Sequence, residues 1–270
     1  MTKVIMGLVA SLTAFFVYLS SPVSTTLKDT VFLADMTWLE VEEAVRQGKK
    51  GAIVPTAGLE QNGLHAILGK HHYVVKYAAE QIARQHGGLL VTPVIDYVPE
   101  GNVDPPSNHM KFSGTISIPE DIFAGILEFT ARSLRAHGFK QIYFIGDSFG
   151  NQQPQAKIAA KLNLEWATTS NRVHHISDYY SANGQTEWLI THGEKNITIG
   201  THAGIRDTSE LLFVNPDGIR PNMIGLKAGM HLGKSGSNGD PSRASKEIGE
   251  TMIKLKIDAA LKQINSFQSQ

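Results

Sequence analysis

The chain has 270 residues, with 25 Lys and Arg balanced by 25 Asp and Glu, 11 His, no Cys and 41% hydrophobic residues. That is enough apolar material for the core of a large globular domain, and it excludes disordered and collagen-like classes. Zero formal charge leaves no electrostatic footprint for nucleic acid, and zero Cys removes thiolate nucleophiles, disulfides and Cys-ligated zinc together, so any metal must be held by His, Asp, Glu or Asn.

Lys3 precedes an uncharged apolar run, Val4 to Leu19, and then the small, polar Ser20 to Thr25. This is the order of a secretory signal peptide, and the run is short for a spanning helix of about 20 residues. The chain therefore reads as a leader, residues 1–25, and one exported domain, residues 26–270, periplasmic or secreted. A membrane enters only if the leader stays uncleaved as an anchor.

Beyond the leader, strands and helices alternate. Thr37 and Glu40 form a capping box before an apolar helical face that stops at Gly48. Gly51 to Pro55 reads as a short buried strand. From His71 to Gln85, Val74, Val75, Ala78, Ala79 and Ile82 recur at helical spacing, and Gly87-Gly88 ends that run before the strand Leu89 to Val91. Residues 96–114 form a long Pro- and Gly-rich loop, a kind more often functional than idle. Ser117 and Glu120 suggest a second capping box, opening a helix to His137, and Gln141 to Ile145 is an almost wholly apolar strand. Ile197-Thr198-Ile199 is strand-like, and an amphipathic helix from about Ser245 to Ile264 closes the fold. Repeated strand, helix, strand predicts an α/β fold with a mainly parallel sheet covered on both faces.

Polar clusters follow the strands: Glu60 to His65 with His71-His72, Gly146 to Asn151, and Thr201 to Ser209, with His109 in the long loop. In open α/β sheets ligands bind at the carboxyl ends of strands, so a shared site is expected there. Taken singly, each cluster is also explained by turn and helix-capping chemistry.

These clusters carry a family resemblance. Pro55-Thr56-Ala57-Gly58-Leu59-Glu60-Gln61-Asn62-Gly63-Leu64-His65 resembles the opening motif of the creatininase (creatinine amidohydrolase) family, in which small residues precede Glu-Gln-His-Gly-Pro-His. His109 to Ser117 is similar to its His-x-x-Phe-Pro-Gly-Thr-Ile-Ser, Gly146 to Asn151 falls where the family has Asn-Gly-His-Gly-Gly-Asn, and His202 to Ser209 resembles His-Ala-Gly-x-x-Glu-Thr-Ser. The matches run in the family's order over about residues 35–215. The resemblance implies a three-layer α/β/α fold, a divalent-metal amidohydrolase of C–N bonds, a small-molecule amide substrate and a homo-oligomer.

The family usually holds two ions, and here its ligand positions are altered. Glu60 is kept, but the first-motif His is Asn62, the bridging Asp is His71, and the His of the Gly-rich motif is Ser148. Imidazole does not bridge two ions as a carboxylate does, so one zinc or manganese ion is expected, on Glu60, His71 and Asp147. The resemblance gives His202 the part of general acid, with Asp207 orienting it. Creatinine itself is not the expected substrate, because the tryptophans that mark true creatininases have no clear match; Trp166 and Trp188 fall elsewhere.

Two other readings use the same residues. Gly146-Asp147-Ser148-Phe149-Gly150 fits G-x-S-x-G, the pattern of a nucleophile elbow, with Asp178 or Asp207 and His202 or His231 completing a triad around Ser148. The lost ligands alternatively suggest a family member that binds a small molecule without turning it over.

Overall fold

The computed structural model describes residues 29–224 and 235–268; the expected leader and His231 lie outside them. In chain order the helices and strands are α1 (Trp38–Arg46), β1 (Gly51–Thr56), α2 (Lys70–His86), β2 (Leu89–Val91), α3 (Glu120–Ala136), β3 (Gln141–Gly146), α4 (Phe149–Glu165), β4 (Arg172–His175), α5 (Gln185–Thr191), α6 (Asn196–Ile199), α7 (Ile205–Val214) and α8 (Lys246–Gln268).

The four strands form one parallel sheet in the order β2-β1-β3-β4, with Gly51 opposite both Leu89 and Gln141, and Gln141 opposite Arg172. β1 is buried along its whole length, as a sheet covered on both faces requires. Alternation along the strands divides the core in two. Ile53, Tyr143 and Ile145 face α2 and α8, against Val74, Ala78, Ile82, Ile257 and Ile264. Ala52, Val54, Ile142 and Phe144 face α1, α3 and α4, against Phe123, Leu127, Ile158 and Leu162. This is the expected three-layer α/β/α arrangement, and no described helix is long and apolar enough to cross a membrane.

Local signals hold where they close short-range bonds. Thr37 and Glu40 form the capping box at α1, and Gly87 ends α2 in the left-handed conformation. Two expectations are corrected. Ile197 to Ile199 is not a strand but most of the short helix α6, closed by Thr198 accepting from the Lys195 amide. Ser117 does not cap α3: its hydroxyl accepts from the Glu100 amide and donates to the Gly101 carbonyl, tying down the long loop, while Pro119 precedes the helix.

Candidate active site

The sheet order reverses between β1 and β3, which stay paired to Thr56 and Gly146, and the segments that follow their carboxyl ends border a crevice. A cavity of about 910 Å³ opens there. The segment after β1 brings Glu60, the turn after β3 brings Asp147 and Ser148, and the 96–114 loop closes over α4. That closure requires glycine at position 150: a Cβ there would stand 2.2 Å from the Pro99 carbonyl oxygen. Pro99 in this position places the adjoining Glu100 carboxyl inside the cavity, where it accepts from the Ser148 hydroxyl at 3.0 Å.

A chain of alternating charges crosses the cavity floor. His71 Nε2 is 2.8 Å from Glu60 Oε1, and its Nδ1 is 2.7 Å from Asp147 Oδ2. Asp147 Oδ1 accepts from Lys256 Nζ of α8 at 2.6 Å and from the Tyr179 hydroxyl at 3.0 Å. Lys256 reaches on to Glu210, 3.2 Å away, which also accepts from Gln185. All of these side chains are buried.

Burial alone pushes the Glu60 and Asp147 carboxyls up. The His71 bond outweighs it at Glu60, and Lys256 with His71 outweighs it at Asp147, so both stay ionised well below the usual carboxylate range. At His71, burial and Lys70 press the imidazole down, but its bonds to Asp147 and Glu60 win and raise it, so it is an imidazolium held between two carboxylates. Glu100 goes the other way: burial first, then the neighbouring Glu60 charge, lifts it to about 10. It therefore carries a proton at neutral pH and shares it with Glu60.

The structure brings Glu60, His71 and Asp147 together, but both ring nitrogens of His71 are spent on the two carboxylates. A different set has the geometry to receive an ion. His109 Nε2 lies 3.3 Å from Glu60 Oε2, His202 Nδ1 lies 3.6 Å from Glu60 Oε1, and one donor atom from each of the three falls within 4.8 Å of the others. Burial lowers both imidazoles below their ordinary range despite the Glu60 charge, which leaves them neutral and able to coordinate. Gln61 aligns them: its side-chain nitrogen is 2.9 Å from His109 Nδ1, and its carbonyl is 2.8 Å from His202 Nε2. The donor set thus fits one divalent ion. Asn62 is not among the cavity-lining residues: its amide nitrogen donates to the Glu60 and Ile67 carbonyls and closes the local turn, while its buried Oδ1 has no hydrogen-bond partner among the described residues.

The remaining candidates also line or support the cavity. Asp207 does not bond His202; it pairs with Lys70 at 3.2 Å and accepts from the Ala203 amide at 2.7 Å, which fixes the turn that carries His202. Ser148 has Glu100, not an imidazole, as its hydroxyl's partner among the described residues, and Asp178 is not among the cavity-lining residues. His65 is buried and bonded to Thr208, linking the first motif to the last. Sequence reasoning assigned no role to Glu100, Lys256 or His109. The motif match that flagged His109 is the one signal that finds any of them.

Comparison with known proteins agrees with this architecture. A family model described as creatinine amidohydrolase matches residues 34–264. The creatinine amidohydrolase of Pseudomonas putida is 25% identical over 197 residues, 71% of this chain and 74% of that protein. Among solved structures, a creatininase with Mn superposes with a TM-score of 0.71 at 21% identity, and a mutant creatininase of Zn-Zn type with 0.71 at 20%; each covers 88% of this chain and 98% of the other.

Proposed function

The chain belongs to the creatininase family of amidohydrolases, and on that footing we propose that it hydrolyses a small amide with one zinc or manganese ion held by Glu60, His109 and His202. The observation that carries this reading is the convergence of one carboxylate and two neutral imidazoles, a donor set suited to hydrolytic zinc, in the crevice. Relatives of Mn and Zn-Zn type support the choice of ions. When bound, such an ion supplies Lewis-acid polarisation of the amide carbonyl and an acidified water.

The chain's own residues do the rest. His71 clamps Glu60 and Asp147, so the carboxylate that faces the imidazoles cannot rotate away. Glu100, protonated and hydrogen-bonded by Ser148, delivers a proton to the leaving nitrogen. With His202 among the ligands, this donor role passes to Glu100. His71 and Lys256 already supply positive charge beside Asp147, which supports one ion rather than two. Export is part of the same proposal, supported by the order of charge, apolar run and small residues in 1–25.

Elemental mass spectrometry on the exported protein tests these assignments. The expected result is close to one zinc or manganese per chain, amide hydrolysis abolished by chelation, loss of metal in Glu60→Gln and His109→Ala, and a mature terminus near residue 26. Metal retained by both variants sinks the ligand set. Chelator-resistant turnover without metal would move the chemistry to Ser148.

A further inference from the structure

Five cationic side chains line the cavity; Lys111 is exposed at its rim, and the other four, set deeper, are not equivalent. Lys70 is spent on Asp207, and Lys256 on Asp147 and Glu210. His71 is held between Glu60 and Asp147. Arg206, in the first turn of α7 and four residues after His202, lines the same cavity, yet among the described residues no group hydrogen-bonds or ion-pairs with its guanidinium. A guanidinium has five donors in a planar fork and no way to shed its charge. Such a group facing a cavity, with no hydrogen-bonded or ion-paired partner among the described residues, has its natural complement in a ligand anion.

The surroundings narrow the anion. Asp207 and Glu210 act on the guanidinium through space, so a compact dianion such as phosphate would meet their repulsion. A planar monoanionic carboxylate matches the fork in two parallel bonds and adds only one charge. Pro99, Phe112 and Phe149 give the cavity an apolar wall, and Phe149 is 81% exposed, so its ring is free to cover a short hydrocarbon.

We propose that Arg206 anchors the carboxylate of the substrate, and that the substrate class is a small amide bearing a free carboxylate on a short carbon chain. This rests on the amidohydrolase reading for the bond cleaved and adds the feature by which the substrate is recognised. In the reaction the amide C–N bond breaks, a C–O bond to the water oxygen forms, and a proton leaves with the nitrogen. From succinamate and water the products are succinate and ammonium.

Succinamate and succinamide form a matched pair, with the same primary amide and differing only in the carboxylate. In the metal-loaded protein, kcat/KM is expected to favour succinamate by about 30-fold or more, the ~2 kcal/mol of a charged hydrogen-bonded pair at tenfold per 1.4 kcal/mol. Arg206→Gln should remove that preference through KM. Arg206→Lys, which keeps charge but not the fork, should retain part of it. Calorimetric titration of chelated protein with succinamate separates the two claims. Arg206-dependent binding without turnover in any metal would overturn hydrolysis and support the anchor. Equal kcat/KM for the pair, an equal loss on both in Arg206→Gln, or tighter binding of inorganic phosphate than of succinate would overturn the anchor.

Discussion

Lys256 is a buried ammonium whose neighbours are two buried carboxylates, Asp147 and Glu210. Removing one member of such a cluster leaves the others uncompensated in a low-dielectric site, at a cost of about 3–5 kcal/mol. Lys256→Met should therefore lower the urea midpoint of unfolding by that equivalent, and an unchanged midpoint would show that the carboxylates find water instead. Single residues were partly legible. Glu60, His71, Asp147, Ser148, His202 and Asp207 all line the cavity, because each follows a strand or motif that marks a crevice. Their pairings were hidden by distance along the chain: Asp147 and Lys256 are 109 residues apart, and nothing in α8's amphipathic pattern distinguishes a lysine turned inward. Glu100 was equally silent, since its proton comes from burial beside Glu60, a relation between a loop and a strand end.

Between elements, α8 packs closely onto α7. A Cβ at Gly249 would stand 1.9 Å from the Ser209 carbonyl oxygen and 2.9 Å from the Phe213 Cβ. In a free helix Gly→Ala gains about 1 kcal/mol of propensity; here overpacking costs of order 1–3 kcal/mol and reverses the sign. Gly249→Ala is expected to lower stability, read from urea unfolding, and a stabilised variant would mean that the helices separate easily. Elements with a long repeated period were readable: α2 presents Val74, Ala78 and Ile82 at helical spacing and ends at a glycine. α6 was not. Its β-branched Ile197-Thr198-Ile199 favours a strand locally, and four residues are too few to show a period. The backbone bonds of Thr198 and Ile199 to the Lys195 carbonyl, the Thr198 hydroxyl accepting from the Lys195 amide, and Ile199 packing on Leu189 and Ile205 decide for a helix.

For the molecule as a whole, the candidate ligands come from the segment after β1, the 96–114 loop and the turn before α7. An ion that binds only the folded chain stabilises it by about 2.7 kcal/mol at a hundred times its dissociation constant. For a chain of this size that corresponds to a rise in Tm of roughly 5–10 °C. Zinc or manganese should produce that rise in the wild type and not in His202→Ala; equal shifts in both would place the ion elsewhere. The same separation of ligands has a consequence for where the metal is chosen. A chain threaded unfolded across a membrane holds residues 60, 109 and 202 far apart, so it carries no cargo ion with it. If this chain is exported unfolded, as proposed above, the proposed ion would be acquired after folding, on the far side. Its identity would reflect the metals present in that compartment rather than the affinity order of a cytosolic pool.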